Sequence, residues 1–237
     1  MRFLFSTMLL AASTVFSLPT SRADEPAKKD QAPVFCEKGK QLAADDFASG
    51  ALGKDWRIAK GKWEVKDGAV RGDELASEKH AAVLRHDLAV HNLIAEFSFR
   101  FDGGKGLSFG LNSTEGHVCR AKIMPTLLQV TRDKPNEKST EKAAVLDTQI
   151  LDLKPGEWHT AMVEVGGKTI VCTIDGKVVA FGSHDGIDVD KSIFAFPVVG
   201  EGISLKSIRG WEGKLPADPA AALKKLEALH AKTASAR

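Results

Sequence analysis

From Asn92 to Phe101 the chain alternates: Leu93, Ala95, Phe97, Phe99 and Phe101 fall on one side, and Asn92, Glu96, Ser98 and Arg100 on the other. Successive side chains of an extended strand point to opposite faces, so this segment predicts a strand with one buried face. The surrounding sequence repeats the theme in shorter runs. Lys66-Asp67-Gly68 lies between Trp63-Glu64-Val65 and Ala69-Val70-Arg71, while Gly166-Gly167 and Asp175-Gly176 separate further apolar runs. Gly preceded by Asp or Gly suits the positive-φ positions of tight hairpins. Strands are expected at Gly106–Asn112, His117–Ile123, Leu127–Arg132, Trp158–Val165, Thr169–Ile174, Lys177–Phe181, Ser192–Val199 and Gly202–Gly210. With turn signals every ~8–12 residues and no helical period inside the block, the fold class is all-β, an antiparallel β-sandwich.

The ends read differently. Met1 to Ala23 has the form of a secretory signal: Arg2, an apolar run from Phe3 to Leu18, the helix-breaking Pro19, and Ser21-Arg22-Ala23 before Asp24. Export to the periplasm or beyond follows, with no membrane span after cleavage. Residues 24–41, with Pro26 and Pro33, read as a charged lead, residues 42–213 as the sandwich, and 214–237 as a tail. In that tail Asp218 suits an N-cap and Pro219 the first helical position, so a short C-terminal helix is expected. Leu223, Leu226 and His230 share its inner side, and weak docking is expected.

Composition excludes several classes. Loss of Arg2 and Arg22 with the signal leaves 31 basic against 31 acidic residues, which gives no footprint for nucleic acid. Three cysteines are too few for a disulfide scaffold. Cys119 and Cys172 lie in strand-like runs and suit either a bridge or two buried thiols, while Cys36 lies in the lead. There are 12 Phe and 4 Trp but no Tyr, which removes a favoured residue for stacking on sugars.

Two stretches carry a family likeness. One is Asp45-Asp46-Phe47, Asp55-Trp56 and Gly61 to Gly68. The other runs from Pro155-Gly156-Glu157-Trp158-His159 through Ile174 to Val178 and closes with Gly202–Trp211. Over residues 42–212 the chain resembles the concanavalin A-like jelly-roll superfamily. More narrowly, it resembles the secreted bacterial 3-keto-disaccharide hydrolases, related in fold to family 16 glycoside hydrolases. The resemblance implies a jelly roll with a carbohydrate ligand on one sheet. It departs from the family in its middle section, where Gly110-Leu111-Asn112-Ser113 and the later Arg120 stand for an Asn-Ser-Gly turn and its arginine. The Glu-x-Asp-x-x-Glu pattern of family 16 glucanases is absent.

Strand parity suggests a polar ladder of Glu96, Ser98 and Arg100, then Ser108 and Asn112, Arg120 and Lys122, and Gln129 and Thr131. Such groups hydrogen-bond sugar hydroxyls, and the arginines suit a carboxylate or keto oxygen. Trp56, Trp63 and Trp211 are expected in packing roles, with Trp158 the exception that could stack on a ligand. The ligand-binding set is therefore Glu96, Arg100, Asn112, Arg120, Lys122, Gln129 and Trp158. A glycan-binding, lectin-like module is the leading reading. The alternatives are cleavage of 3-keto-glycosides, with acid or base drawn from Glu96, His117 and His184, or an envelope interaction module. His80, His86 and His91 lack metal-ligand spacing, and His159 shares parity with Ala161 and Val163 as a half-buried structural residue. Asp185, Asp188 and Asp190 carry oxygens of the kind calcium takes but depart from EF-hand spacing, and the segment reads as an acidic loop. Asn112-Ser113-Thr114 is a formal glycosylation sequon.

Overall fold

The computed structural model describes residues 31–235, so the expected signal sequence and residues 24–30 of the expected lead lie outside the described residues. The strands are β1 (Glu37–Asp45), β2 (Trp56–Lys60), β3 (Lys62–Lys66), β4 (Ala69–Asp73), β5 (Ala82–Val90), β6 (Leu93–Phe101), β7 (Gly106–Ser113) and β8 (Gly116–Met124). They continue with β9 (Leu127–Arg132), β10 (Ala144–Ile150), β11 (His159–Gly166), β12 (Thr169–Ile174), β13 (Val178–Ser183), β14 (Lys191–Val199) and β15 (Glu201–Lys214), and the chain ends in helix α1 (Pro219–Ser235). Two antiparallel sheets result. The eight-stranded sheet runs β13-β12-β11-β6-β15-β4-β3, with β1 also paired to β15; the seven-stranded sheet runs β10-β9-β8-β7-β14-β5-β2.

The inward faces meet in a phenylalanine-rich core. Phe97 of one sheet lies 5.7 Å from Phe109 and 5.0 Å from Phe196 of the other, ring centre to ring centre. This is the face-to-face packing of a sandwich, in which side chains of the two inner faces interdigitate. The expected hairpin turns form: Asp67 and Gly68, and Asp175 and Gly176, all have positive φ. Gly61 alone joins β2 of one sheet to β3 of the other, with φ +75° and no room for a side chain: a Cβ there would sit 2.2 Å from that of Ala82.

Several expectations need correction. The sheet begins at Glu37, inside the expected lead, because β1 pairs with the second half of β15. Strands β2, β5 and β10 were not foreseen. The helix is firmly docked: Leu226 is fully buried in a second apolar cluster on the outer face of the eight-stranded sheet, with Phe35, Cys36, Ile94, Met162, Val171 and Val179. Asp218 caps it through Ala221 N–H at 3.0 Å, as its position suggested. All three cysteines are buried free thiols, with no Cys119–Cys172 bridge. No described helix is long and apolar enough to cross a membrane.

Candidate functional site

The expected polar ladder is split between opposite sides of the sandwich. Glu96, Ser98 and Arg100 lie on β6 of the eight-stranded sheet, whereas Ser108, Asn112, Arg120, Lys122, Gln129 and Thr131 lie on β7, β8 and β9 of the other. In both groups the apolar neighbours turn inward. The polar groups therefore face outward in opposite directions.

On the eight-stranded side the polar groups hold one another. Glu96 is only 4% exposed and is bound by Arg209, with Lys38 Nζ at 3.6 Å. Arg100 donates from Nε to Asp102, which also accepts from the Ser204 hydroxyl. The Arg100 guanidinium and Lys206 Nζ lie 4.8 and 4.2 Å from the centre of the half-buried Trp158 ring. Farther along, Phe35, Cys36 and α1 cover the sheet. Buried Glu164 fixes that cover by accepting the backbone N–H groups of Val34, Phe35 and Cys36 at 2.9, 2.9 and 2.7 Å. Burial pushes its carboxyl above the ordinary glutamate range, against the pull of those donors.

The seven-stranded side carries a long row of polar side chains with small residues at its middle. Register aligns Thr131, Arg120, Gly110, Ala195, Arg85 and Arg57 in one row across β9, β8, β7, β14, β5 and β2. Beside it run Gln129, Lys122 and Ser108. The middle of the row is small. A Cβ on Gly110 would meet only the Arg120 Cβ, at 3.8 Å, yet outward-facing Ala195 and Val83 are each just 5% exposed without belonging to the core. They form the floor between two arginine walls. With ~4.8 Å between strands, Arg85 and Arg120 stand three spacings, about 14 Å, apart at their Cα atoms. Long side chains can close over such a gap.

The walls differ in their partners. Arg120 donates to Asp133, which also accepts from the Thr131 hydroxyl at 2.9 Å, and Arg57 is paired with Asp87. Arg85 has no side-chain hydrogen bond or ion pair among the described residues, and its Nε is buried. Gln129 Nε2 donates to the Thr148 hydroxyl at 3.2 Å. His117 Nδ1 and Asn112 Oδ1 are 3.0 Å apart, so the sequon asparagine sits on a strand within this face. Partial burial, together with the charges of Arg120, Arg85 and His80, lowers the His117 imidazole below its ordinary range, against Asp133.

The three acid–base candidates do not converge. Glu96 is locked on one face and His117 lies on the other; His184 caps the short turn Asp185–Ile187, its Nδ1 accepting from Gly186 N–H at 3.0 Å. His159 is buried rather than half-buried and bonds Asp175 at 2.8 Å. Asp188 and Asp190 bracket His91 at 2.8 and 2.7 Å, while Asp185 faces Lys168 at 3.5 Å. Among the described residues no three His, Cys, Asp or Glu side chains gather closely enough to share an ion. Trp56 and Trp63 pack in the core, the latter over Gly72, but Trp211 lies on the outer face under Lys38. Sequence reasoning missed Arg85. The signal was there in β5, where Val83, Arg85 and Asp87 alternate with Leu84, His86 and Leu88.

No protein-family model and no curated protein matches the chain. Solved structures do. The carbohydrate-binding module CBM66 from Bacillus subtilis aligns with TM-score 0.54 and 10% identity over 67% of this chain and 96% of its own. A Bacillus subtilis protein of unknown function with a galectin-like fold aligns with TM-score 0.58 and 10% identity over 76% and 100%. The laminarinase from Rhodothermus marinus aligns with TM-score 0.57 and 11% identity over 75% and 98%. At such identities the likeness establishes the fold, a concanavalin A-like jelly roll, and no activity.

Proposed function

We propose that this chain is an exported, non-catalytic glycan-binding module that holds its ligand on the outer face of the seven-stranded sheet. The observation that carries the reading is the row from Thr131 to Arg57, with a small, sunken floor at Gly110 and Ala195 between arginine walls. A floor of this kind accepts the apolar face of a sugar ring, and the walls and the neighbouring Gln129 and Lys122 supply donors for hydroxyls. Jelly-roll neighbours that include a carbohydrate-binding module support it. Binding is favoured over cleavage because a two-carboxylate glycosidase needs both acids ~5–9.5 Å apart and free to act. Here Asp87 and Asp133 are both held by arginines. The sequence features of Met1 to Ala23 support export.

A glycan array followed by titration calorimetry tests the reading. Binding by the wild type should weaken about tenfold in Arg120→Ala, the scale of one charge-assisted hydrogen bond, and stay unchanged in Arg100→Ala on the opposite face. Binding lost only in Arg100→Ala would overturn the choice of face. Turnover of 3-keto-glycosides by the wild type would replace the binding reading with hydrolase or lyase chemistry.

A further inference from the structure

The seven-stranded face carries more positive charge than its own acids neutralise. Arg57, Arg85, Arg120 and Lys122 stand there against Asp87 and Asp133, and each of those acids is held by one arginine. Arg85 and Lys122 have no acidic partner among the described residues. Arg85 is the sharper case: half-buried at the edge of the Gly110–Ala195 floor, it keeps its Nε out of water with no acceptor. A buried donor left unmade costs free energy that an arriving acceptor recovers. The planar guanidinium offers paired donors that match the two oxygens of a carboxylate or sulfate better than a single hydroxyl does. His117, across the floor, adds little charge at neutral pH.

We propose that this face selects acidic glycans, with the ring of one sugar on the Gly110–Ala195 floor and its carboxylate or sulfate ester received by Arg85. The inference rests on the glycan reading of the same face. Arg120, already held by Asp133, orients hydroxyls, and Lys122 adds a longer-range pull on the anion. On a formally balanced mature chain this local surplus is a selecting feature rather than a general attraction for polyanions.

The test is an array that pairs uronic acid oligosaccharides with the same oligosaccharides after carboxyl reduction, and sulfated ones with their desulfated forms. Hits are then titrated against the wild type, Arg85→Gln and Gly110→Leu, with thermal melts to verify folding. The wild type should prefer the acidic member of a pair by at least about tenfold, as one charge-assisted contact implies. Arg85→Gln should erase that preference, bringing the acidic member down to the affinity of its reduced or desulfated partner in the same variant, and Gly110→Leu should abolish both. Which pair responds separates a carboxylate from a sulfate ester. Raising the salt should weaken the acidic member alone. Equal binding of both members, or a preference that survives in folded Arg85→Gln, overturns the inference and leaves the glycan reading standing. Binding of no glycan at all overturns both.

Discussion

The hold of Glu164 on Val34, Phe35 and Cys36 should behave as a latch. In Glu164→Ala the three N–H groups lose their acceptor. Those of Phe35 and Cys36 belong to residues each only 5% exposed. An unsatisfied buried donor costs about 1–3 kcal/mol, so keeping both in place without Glu164 would cost about 2–6 kcal/mol. Releasing the segment forfeits about 1.5–3 kcal/mol for Phe35 and somewhat less for Cys36. The two costs overlap across about 2–4 kcal/mol, so without Glu164 the opened segment becomes as accessible as the covered one. Cys36 then reports the event: its thiol, pushed up to about 12 by burial and by Glu164, is unreactive while covered. With tenfold per 1.4 kcal/mol, labelling of Cys36 at neutral pH should accelerate about 30- to 700-fold, while Cys119 and Cys172 in the core stay protected. Glu164→Gln keeps an acceptor for Phe35 and Cys36 and gives up only the Val34 bond, so its effect should be near 1 kcal/mol. The sign of the pH effect follows from the raised carboxyl. The contribution of Glu164 is full below the ordinary glutamate value and declines as pH rises through the folded-state value, and Glu164→Gln should flatten that slope. Mass mapping of labelled thiols decides the matter. An unchanged Cys36 rate in folded Glu164→Ala would refute the latch.

Three further outcomes follow. Gly61→Ala imposes a side chain at φ +75° and 2.2 Å from the Ala82 Cβ, and should cost at least about 2 kcal/mol in denaturant unfolding. Leu226→Ala removes a fully buried anchor of α1 and should cost about 2–4 kcal/mol, with amide exchange in the helix rising before that of the core strands. His91, bracketed by hydrogen bonds to Asp190 and Asp188, should titrate above its ordinary value in an NMR pH series. Its hold on the 188–190 loop is therefore full below about pH 6.5 and lost as pH rises through that higher value, and His91→Gln should remove the dependence.

The sandwich was legible where burial writes a period of two, as in β6, and where turns demand positive φ, as at Asp67-Gly68 and Asp175-Gly176. It was illegible where a strand is wetted on one face and irregular in pairing. β1 reads Glu37-Lys38-Gly39-Lys40 and bulges twice against β15, so its charges masked a strand as a linker. The site was lost for a topological reason. Alternation tells which side chains share a face of one strand, not which sheet receives the next strand. β6 and β7 are consecutive, yet the four residues between them carry the chain from one sheet to the other. Glu96 and Arg100 thus left the company of Arg120 and Lys122. Arg85 entered that company only once β5 was placed beside β14.

The fourteen-residue β15 has a consequence for how the chain reaches this state. Along one side it pairs with β6, and along the other with β4 in its first half and β1 in its second. Three strands made far earlier thus wait, side by side with an empty slot, for the last one. Pairings between such distant stretches are slow to find, because a long loop must close before any contact rewards it. Assembly of this sheet therefore cannot finish before β15 has been made. A nascent chain halted short of Glu201 would present the bare edges of β4 and β6, and ribosome-stalled lengths on either side of Lys214 should differ sharply in protease resistance.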